Sequence, residues 1–399
     1  MVNDEWLMVS NCKISVERKP IAGEPDSVLP FLEEMSSKAF SSTTSLRNSK
    51  SHFFTKYLPF IAALFLLSLP SFAQKTGGGY SNSYLLRSVS ARAIGMGGAF
   101  TAISNDPSAI YYNPAGLADL SQQPAFTSMF SILEHRRTHS ILAWGQKLTD
   151  EIGIGAGINA FTSGSFISRD IKNTHIKHIN SLDYSFTVGA SYNMDYAATG
   201  VAIKYLHSGL NGLDFGMSGF AVDFGTKLNI LDMFSFGLAM QNVGSYTCWD
   251  ENKATGKSEE DYLPFTVRTG VAFEIALNEN SYTTRSTITG EEETLYTPAT
   301  HYAVVDLDAK FTQFEKCPTL LIGVEIIPHE VIAFRGGIDF YGSDMGKNKF
   351  FPLNEWGAGV SLRPQLDDLP FFSHFDYSIS SDYLSGKKVA HHISVYFEF

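Results

Sequence analysis

Several groups of residues have the types that chemistry requires. Gly95-Met96-Gly97-Gly98 crowds glycines as a phosphate-binding loop does, but no Lys-Ser/Thr pair follows it. Gly153, Gly155 and Gly157 imitate a dinucleotide loop, yet they alternate with Ile152, Ile154, Ala156 and Ile158, which is the period of a strand with one smooth face. His175 and His178 lie in a polar stretch with His135 and His139 not far off, but no cysteine or carboxylate spacing completes a metal site. No serine sits in a Gly-x-Ser-x-Gly elbow. Neither a metal, a cofactor nor an enzymatic activity is expected. What remains is a set of charges, Arg268, Glu274, Asp306, Asp308, Arg335, Asp339 and Arg363, set into apolar, alternating segments. They could form a catalytic set, or line and cross-brace a wet lumen; the second is the expectation.

The elements that must position these charges have period two. In 301–311, Ala303, Val305, Leu307, Ala309 and Phe311 form one face and Tyr302, Val304, Asp306, Asp308 and Lys310 the other. In 331–341, Ile332, Phe334, Gly336, Ile338 and Phe340 oppose Arg335, Gly337 and Asp339. This is strand periodicity. About fourteen such segments occur, near 124–133, 137–148, 151–162, 181–192, 197–208, 215–229, 232–242, 263–278, 300–312, 318–327, 331–341, 354–363, 371–382 and 391–399. Most have the length a tilted strand needs to cross a bilayer, about 9–11 residues. An even number of antiparallel strands with one apolar face predicts an all-β, outer-membrane barrel in contact with lipid, because only closure pairs every backbone group there.

The connections agree in part. Long polar ones, 163–180, 243–262, 342–353 and 383–390, alternate with tight ones at 149–150, 193–196, 230–231 and 328–330. The stretch 279–299 is long where a tight turn is due, so it is either an insertion or a slip in the strand count. At the end of the chain Ile393, Val395, Phe397 and Phe399 alternate with polar residues up to a terminal aromatic, an ending that resembles the recognition signal of the barrel assembly machinery.

Upstream, the apolar run 57–69 is too short to span a bilayer as a helix and is followed by Ser71 and Ala73, small residues where a signal peptidase cuts. Residues 35–73 are therefore expected to be a signal peptide cleaved near Ala73-Gln74, and residues 1–34, with seven acidic and three basic side chains, a mis-called or non-native extension. The first 73 residues hold 7 Lys+Arg and 7 Asp+Glu, leaving 23 (30 − 7) and 34 (41 − 7), so the remainder keeps the net charge of −11. Such a chain is a poor partner for nucleic acid. Cys248 and Cys317 are too few for a disulfide scaffold.

Residues 88–117, SVSARAIGMGGAFTAISNDPSAIYYNPAGL, combine a small-residue run, an acidic turn at Asp106 and a close at Asn113-Pro114-Ala115-Gly116. This pattern resembles the N-terminal signature of the PorV/PorQ outer-membrane proteins and their FadL-like relatives; Gln241-Asn242-Val243-Gly244, followed by Leu263-Pro264, is similar to the same family's mid-barrel pattern. The resemblance implies a fourteen-stranded barrel at 124–399 with residues 74–123 folded inward as a plug. It also implies either uptake of a small hydrophobic ligand or a role in type IX secretion with protein partners or cargo. Gly95, Gly97 and Gly98 allow the close approach and positive φ that a packed plug needs, and Pro114 keeps Asn113 out of the α region so that its amide can hold a turn. Two uses are open to Asn113–Gly116: capping an inner turn, or gating a ligand path. Uptake predicts an apolar pocket beside them and a lateral gap in the wall.

Overall fold

The computed structural model describes residues 81–399 except 195, 212–215, 231–232, 251–259, 279, 286–291, 298–300, 314, 316, 342–352, 365–370 and 383–387. It falls into two units, Met1–Ser71 and Phe72–Phe399. Of the first, only a short antiparallel ladder, Met8–Val9 with Cys12–Lys13, is described. Apart from that ladder, the expected extension lies outside the described residues, as do the signal peptide and the cleavage point.

The second unit is a closed barrel of fourteen antiparallel strands. They are β1 Ala125–Ile132, β2 Thr138–Lys147, β3 Ile152–Arg169, β4 His175–Asn193, β5 Ala197–Asn211, β6 Gly216–Ile230, β7 Phe234–Trp249, β8 Thr266–Ala276, β9 Tyr302–Thr312, β10 Thr319–His329, β11 Ile332–Tyr341, β12 Leu353–Leu362, β13 Phe372–Asp382 and β14 Lys388–Glu398. Closure runs from Glu398 opposite Ala125 to His391 opposite Ile132, so neither terminal strand has a free edge. One end carries short turns such as 148–151 and 330–331 together with the C-terminus and, as exceptions, the long connection 277–301 and the connection 363–371; the other carries the remaining loops. We call these the turn end and the loop end.

Alternation sorts side chains to the two sides of the wall. Phe130, Leu142, Ile158, Phe186, Leu307 and Phe334 point outward and are exposed, while Asp306, Asp308 and Arg335 point inward and are buried. An outward apolar skin on a closed sheet is the solvation pattern of a transmembrane barrel. Ile393, Val395, Phe397 and Phe399 all lie on that outward side, and Phe399 packs edge-on against Phe126.

Two expectations about connections need correction. Most of 163–180 is strand: β3 and β4 continue through it and turn only at 170–174. Likewise β7 runs on to Trp249, into the expected loop 243–262. Strands β3–β7 have 15 to 19 residues against 8 to 11 in the others, so one side of the wall stands taller at the loop end. The long stretch 279–299 is an insertion, because Asn280–Arg285 pairs with Glu292–Thr297 as a separate hairpin and the count of fourteen does not slip.

Candidate functional site: a plug seated in the lumen

The chain enters the barrel at the loop end, where Ser81 N donates to Tyr262 O at 3.0 Å, and leaves at the turn end, where Lys147 N donates to Ser121 O at 2.8 Å. Between these points lie two short helices, α1 Ala91–Gly95 and α2 Ala109–Tyr112, and two 3-10 turns, Ser83–Leu86 and, after Asn113, Pro114–Asp119. Gly97 (φ 67°) and Gly98 (φ 84°) end α1; Gly98 N closes back onto Ala93 O at 2.8 Å, a left-handed exit open to glycine. Asp106 holds the next turn, its Oδ1 accepting from Ser108 N at 2.8 Å. Asn113 is extended and caps the 3-10 turn, accepting from Ala115 N at 3.2 Å with Pro114 at the first turn position. Its amide donates to Thr101 O (3.1 Å) within the plug and to Thr226 O (3.0 Å) in β6.

The plug sits backbone-to-backbone on the wall. A methyl group at Gly200 would overlap the Pro114–Ala115 peptide, one at Gly225 the Asn113 side chain, and one at Gly337 the Met96–Gly97 peptide. Gly153, Gly155 and Gly157 form the smooth face expected of them, and Leu117 and Tyr111 lie against it. Gly95 stands close to Gly359 and Arg335, and Gly116 against Ser104, so of the plug glycines the last seats the plug on itself.

Most of the inward charges brace the plug, and these are buried. Arg92 makes a two-toothed bond to Glu325 (3.1 and 2.7 Å), reaches Asn105 (2.7 Å) and lies 3.5 Å from Asp106. Glu325 also binds Arg335 (2.6 Å), which continues to Asp376 (2.7 Å). Asp308 Oδ2 collects four donors: Phe100 N, Thr101 N, Thr101 Oγ1 and Arg268 Nη2, at 3.1, 3.0, 2.6 and 3.2 Å. Burial works against the Arg92 guanidinium, but Glu325 and Asp106 hold its pKa above the usual range. Burial pushes the Tyr112 phenol up to about 12, partly offset by Arg268. The expected wet lumen is thus a packed core of ion pairs. Asp339 serves the wall, accepting from Glu355 N, and Glu274 is exposed at the turn end. Asp306 is fully buried with no hydrogen bond to either oxygen.

Residues not singled out in the sequence complete the seat. Arg92 is the lone charge between Ser88 and Asn105, and Glu325 the lone charge in Thr319–Pro328, a signal that would have marked them as a pair. Lys204 bridges Asp223 (2.7 Å) and Asn242 (3.1 Å) where β6 and β7 lose register. The two motif segments meet in space: Gln241 donates to Tyr111 O (2.6 Å) and Tyr112 O (3.2 Å), and Asn242 donates to Pro264 O (2.9 Å).

Among the described residues, two cavities border the plug. The one toward the loop end holds about 20 Å³ and is bordered by Leu85, Val89, Tyr111, Tyr112, Gln241, Arg268 and Lys310. The one toward the turn end, of about 330 Å³, is bordered by Arg92, Ile103, Asp119, Lys227, Met233, Phe234, Glu274, Tyr302 and Val304. Neither is lined by Asn113–Gly116, which the glycines of β5 and β6 enclose, so among the described residues no apolar pocket stands where one is expected; the turn-end cavity is lined largely by polar side chains, Arg92, Asn105, Asp119, Lys227 and Glu274 among them. Neighbouring barrel strands are hydrogen-bonded around the whole circuit.

No family profile matches this chain, and no curated protein matches it. Solved structures do. The toluene transporter TodX of Pseudomonas putida is 11% identical with a TM-score of 0.50, over 78% of this chain and 98% of that one. A FadL homologue of Pseudomonas aeruginosa is 9% identical with a TM-score of 0.50, again over 78% and 98%. At such identity the likeness speaks for architecture alone. Strand number, closure and the inward N-terminal segment together give the chain the fold of the FadL-like fourteen-stranded outer-membrane β-barrels.

Proposed function

We propose that the protein is exported, its leader cleaved near Ala73-Gln74, and sits in the bacterial outer membrane with its turn end toward the periplasm. There it admits small hydrophobic molecules past the plug. The observation that carries this reading is the turn-end cavity, which has the size of a small-molecule site and an apolar wall of Ile103, Met233, Phe234, Ala272 and Val304 facing a polar one. The similarity of the fold to a toluene transporter points the same way. Ile393, Val395, Phe397 and Phe399 would present the closing strand to the barrel assembly machinery. The test is uptake of radiolabelled toluene by a bacterial host that lacks hydrophobic channels of its own. Cells expressing the protein accumulate label faster than vector controls; equal rates refute transport of this class.

A second reading, a PorV/PorQ-type component of type IX secretion, is supported by the contact between the two motif segments through Gln241, with Asn242 holding the mid-barrel pattern together at Pro264. On that reading the tall wall β3–β7 receives protein partners or cargo. Deletion in the native host then strands secretion substrates in the periplasm, whereas a transporter deletion leaves them exported.

A further inference from the structure

A stack of four side chains runs from one cavity to the other. Arg268 borders the loop-end cavity, and its guanidinium carbon lies 5.0 Å from the ring centre of Tyr112. The Tyr112 ring meets Phe100 edge-on at 5.3 Å. On the far side, Arg92, which borders the turn-end cavity, lies over Phe100 at 5.2 Å. We propose that this stack is the gate of the barrel, with Phe100 and Tyr112 as the parts that move and Arg268 and Arg92 as fixed jambs. The assignment rests on the transport reading above.

Three observations favour the stack over a withdrawal of the whole plug. The plug backbone lies on the wall at Gly200, Gly225 and Gly337, so a rigid shift would strip many contacts at once. The jambs are tied: Arg92 by Glu325 and Arg268 by Asp308 and by Gly98 O at 2.7 Å. The rings, by contrast, are side chains on a fixed backbone, because Asp308 holds the Phe100 and Thr101 amides and Gln241 holds the Tyr111 and Tyr112 carbonyls. A rotamer change of Phe100, with Tyr112 releasing its bonds to Val89 (2.8 and 2.9 Å), joins the two cavities without moving the chain. Ring–cation and edge-to-face contacts each hold the closed state only modestly, as a gate requires.

The test reconstitutes the full chain in liposomes and measures swelling in arabinose, with toluene uptake by cells alongside. Phe100→Ala and Tyr112→Ala are expected to swell severalfold faster than wild type. Phe126→Ala, on the lipid face, stays at the wild-type rate, and Tyr112→Phe, which keeps the ring but loses the hydroxyl bonds to Val89, swells at a rate between wild type and Tyr112→Ala. Trypsin resistance of the plug shows that the fast variants are still seated; if Phe100→Ala unseats it, Phe100→Leu replaces it in the comparison. Wild-type swelling of the seated Phe100→Ala/Tyr112→Ala variant, while Gly200→Val swells fast, overturns the assignment. Fast swelling without toluene uptake by the wild type retains the gate and rejects the hydrophobic cargo.

Discussion

Asp306 and Asp308 stand two residues apart on the inward face of β9, yet they meet opposite surroundings. Asp308 Oδ2 terminates four donors, three of them from the plug. Asp308→Asn puts an amide where those donors need an anion, and each buried donor left short costs about 1–3 kcal/mol. Asp306 is as deeply buried but has no donor to justify a charge. Asp306→Asn removes a desolvation penalty and is expected to be neutral or stabilising. The temperature at which the fast-migrating, unheated band gives way to the slow one measures both; equal losses would contradict the different surroundings. Asn113→Ala belongs to the same scale. It removes bonds to Thr101 and Thr226 and lowers that transition by the equivalent of about 1–3 kcal/mol, while insertion is retained.

At the level of elements, the wall and the plug are fitted through glycines. Gly200→Val places a branched side chain on the Pro114–Ala115 peptide, so β5 still pairs while the plug cannot seat. The expected outcome is a heat-modifiable barrel whose plug is cut by trypsin; a protected plug would show that the contact yields. On the other face, Leu307→Arg places a cation in lipid at a cost of about 2–4 kcal/mol. Strands were legible in the sequence because one face is in lipid and the period of two survives. The outer ends of β3, β4 and β7 were not: beyond the bilayer neither face must be apolar, so 163–180 reads as loop while the backbone remains paired. Nor could sequence tell a dry lumen from a wet one. Arg335 and Asp376 alternate with apolar neighbours in either case, and only the plug's Arg92 on Glu325 shows that these charges are buried against one another.

In the whole molecule a closed wall surrounds a chain threaded through it from loop end to turn end, and the proposed side-chain gate lies on that chain. The tall side of the wall gives the orientation a check. Ile171, fully exposed between β3 and β4, lies at the loop end. With Cys12, Cys248 and Cys317 replaced by serine, Ile171→Cys should react with an impermeant maleimide on intact cells; labelling only after the outer membrane is opened would invert the barrel. The central claim is that the lumen is shut by a seated plug. Planar-bilayer conductance tests it most directly, comparing the purified wild-type chain with Gly200→Val. The account predicts a silent wild type and steady open channels in the variant. A wild type that conducts as the variant does, or a variant that stays silent with its plug exposed to trypsin, would contradict it.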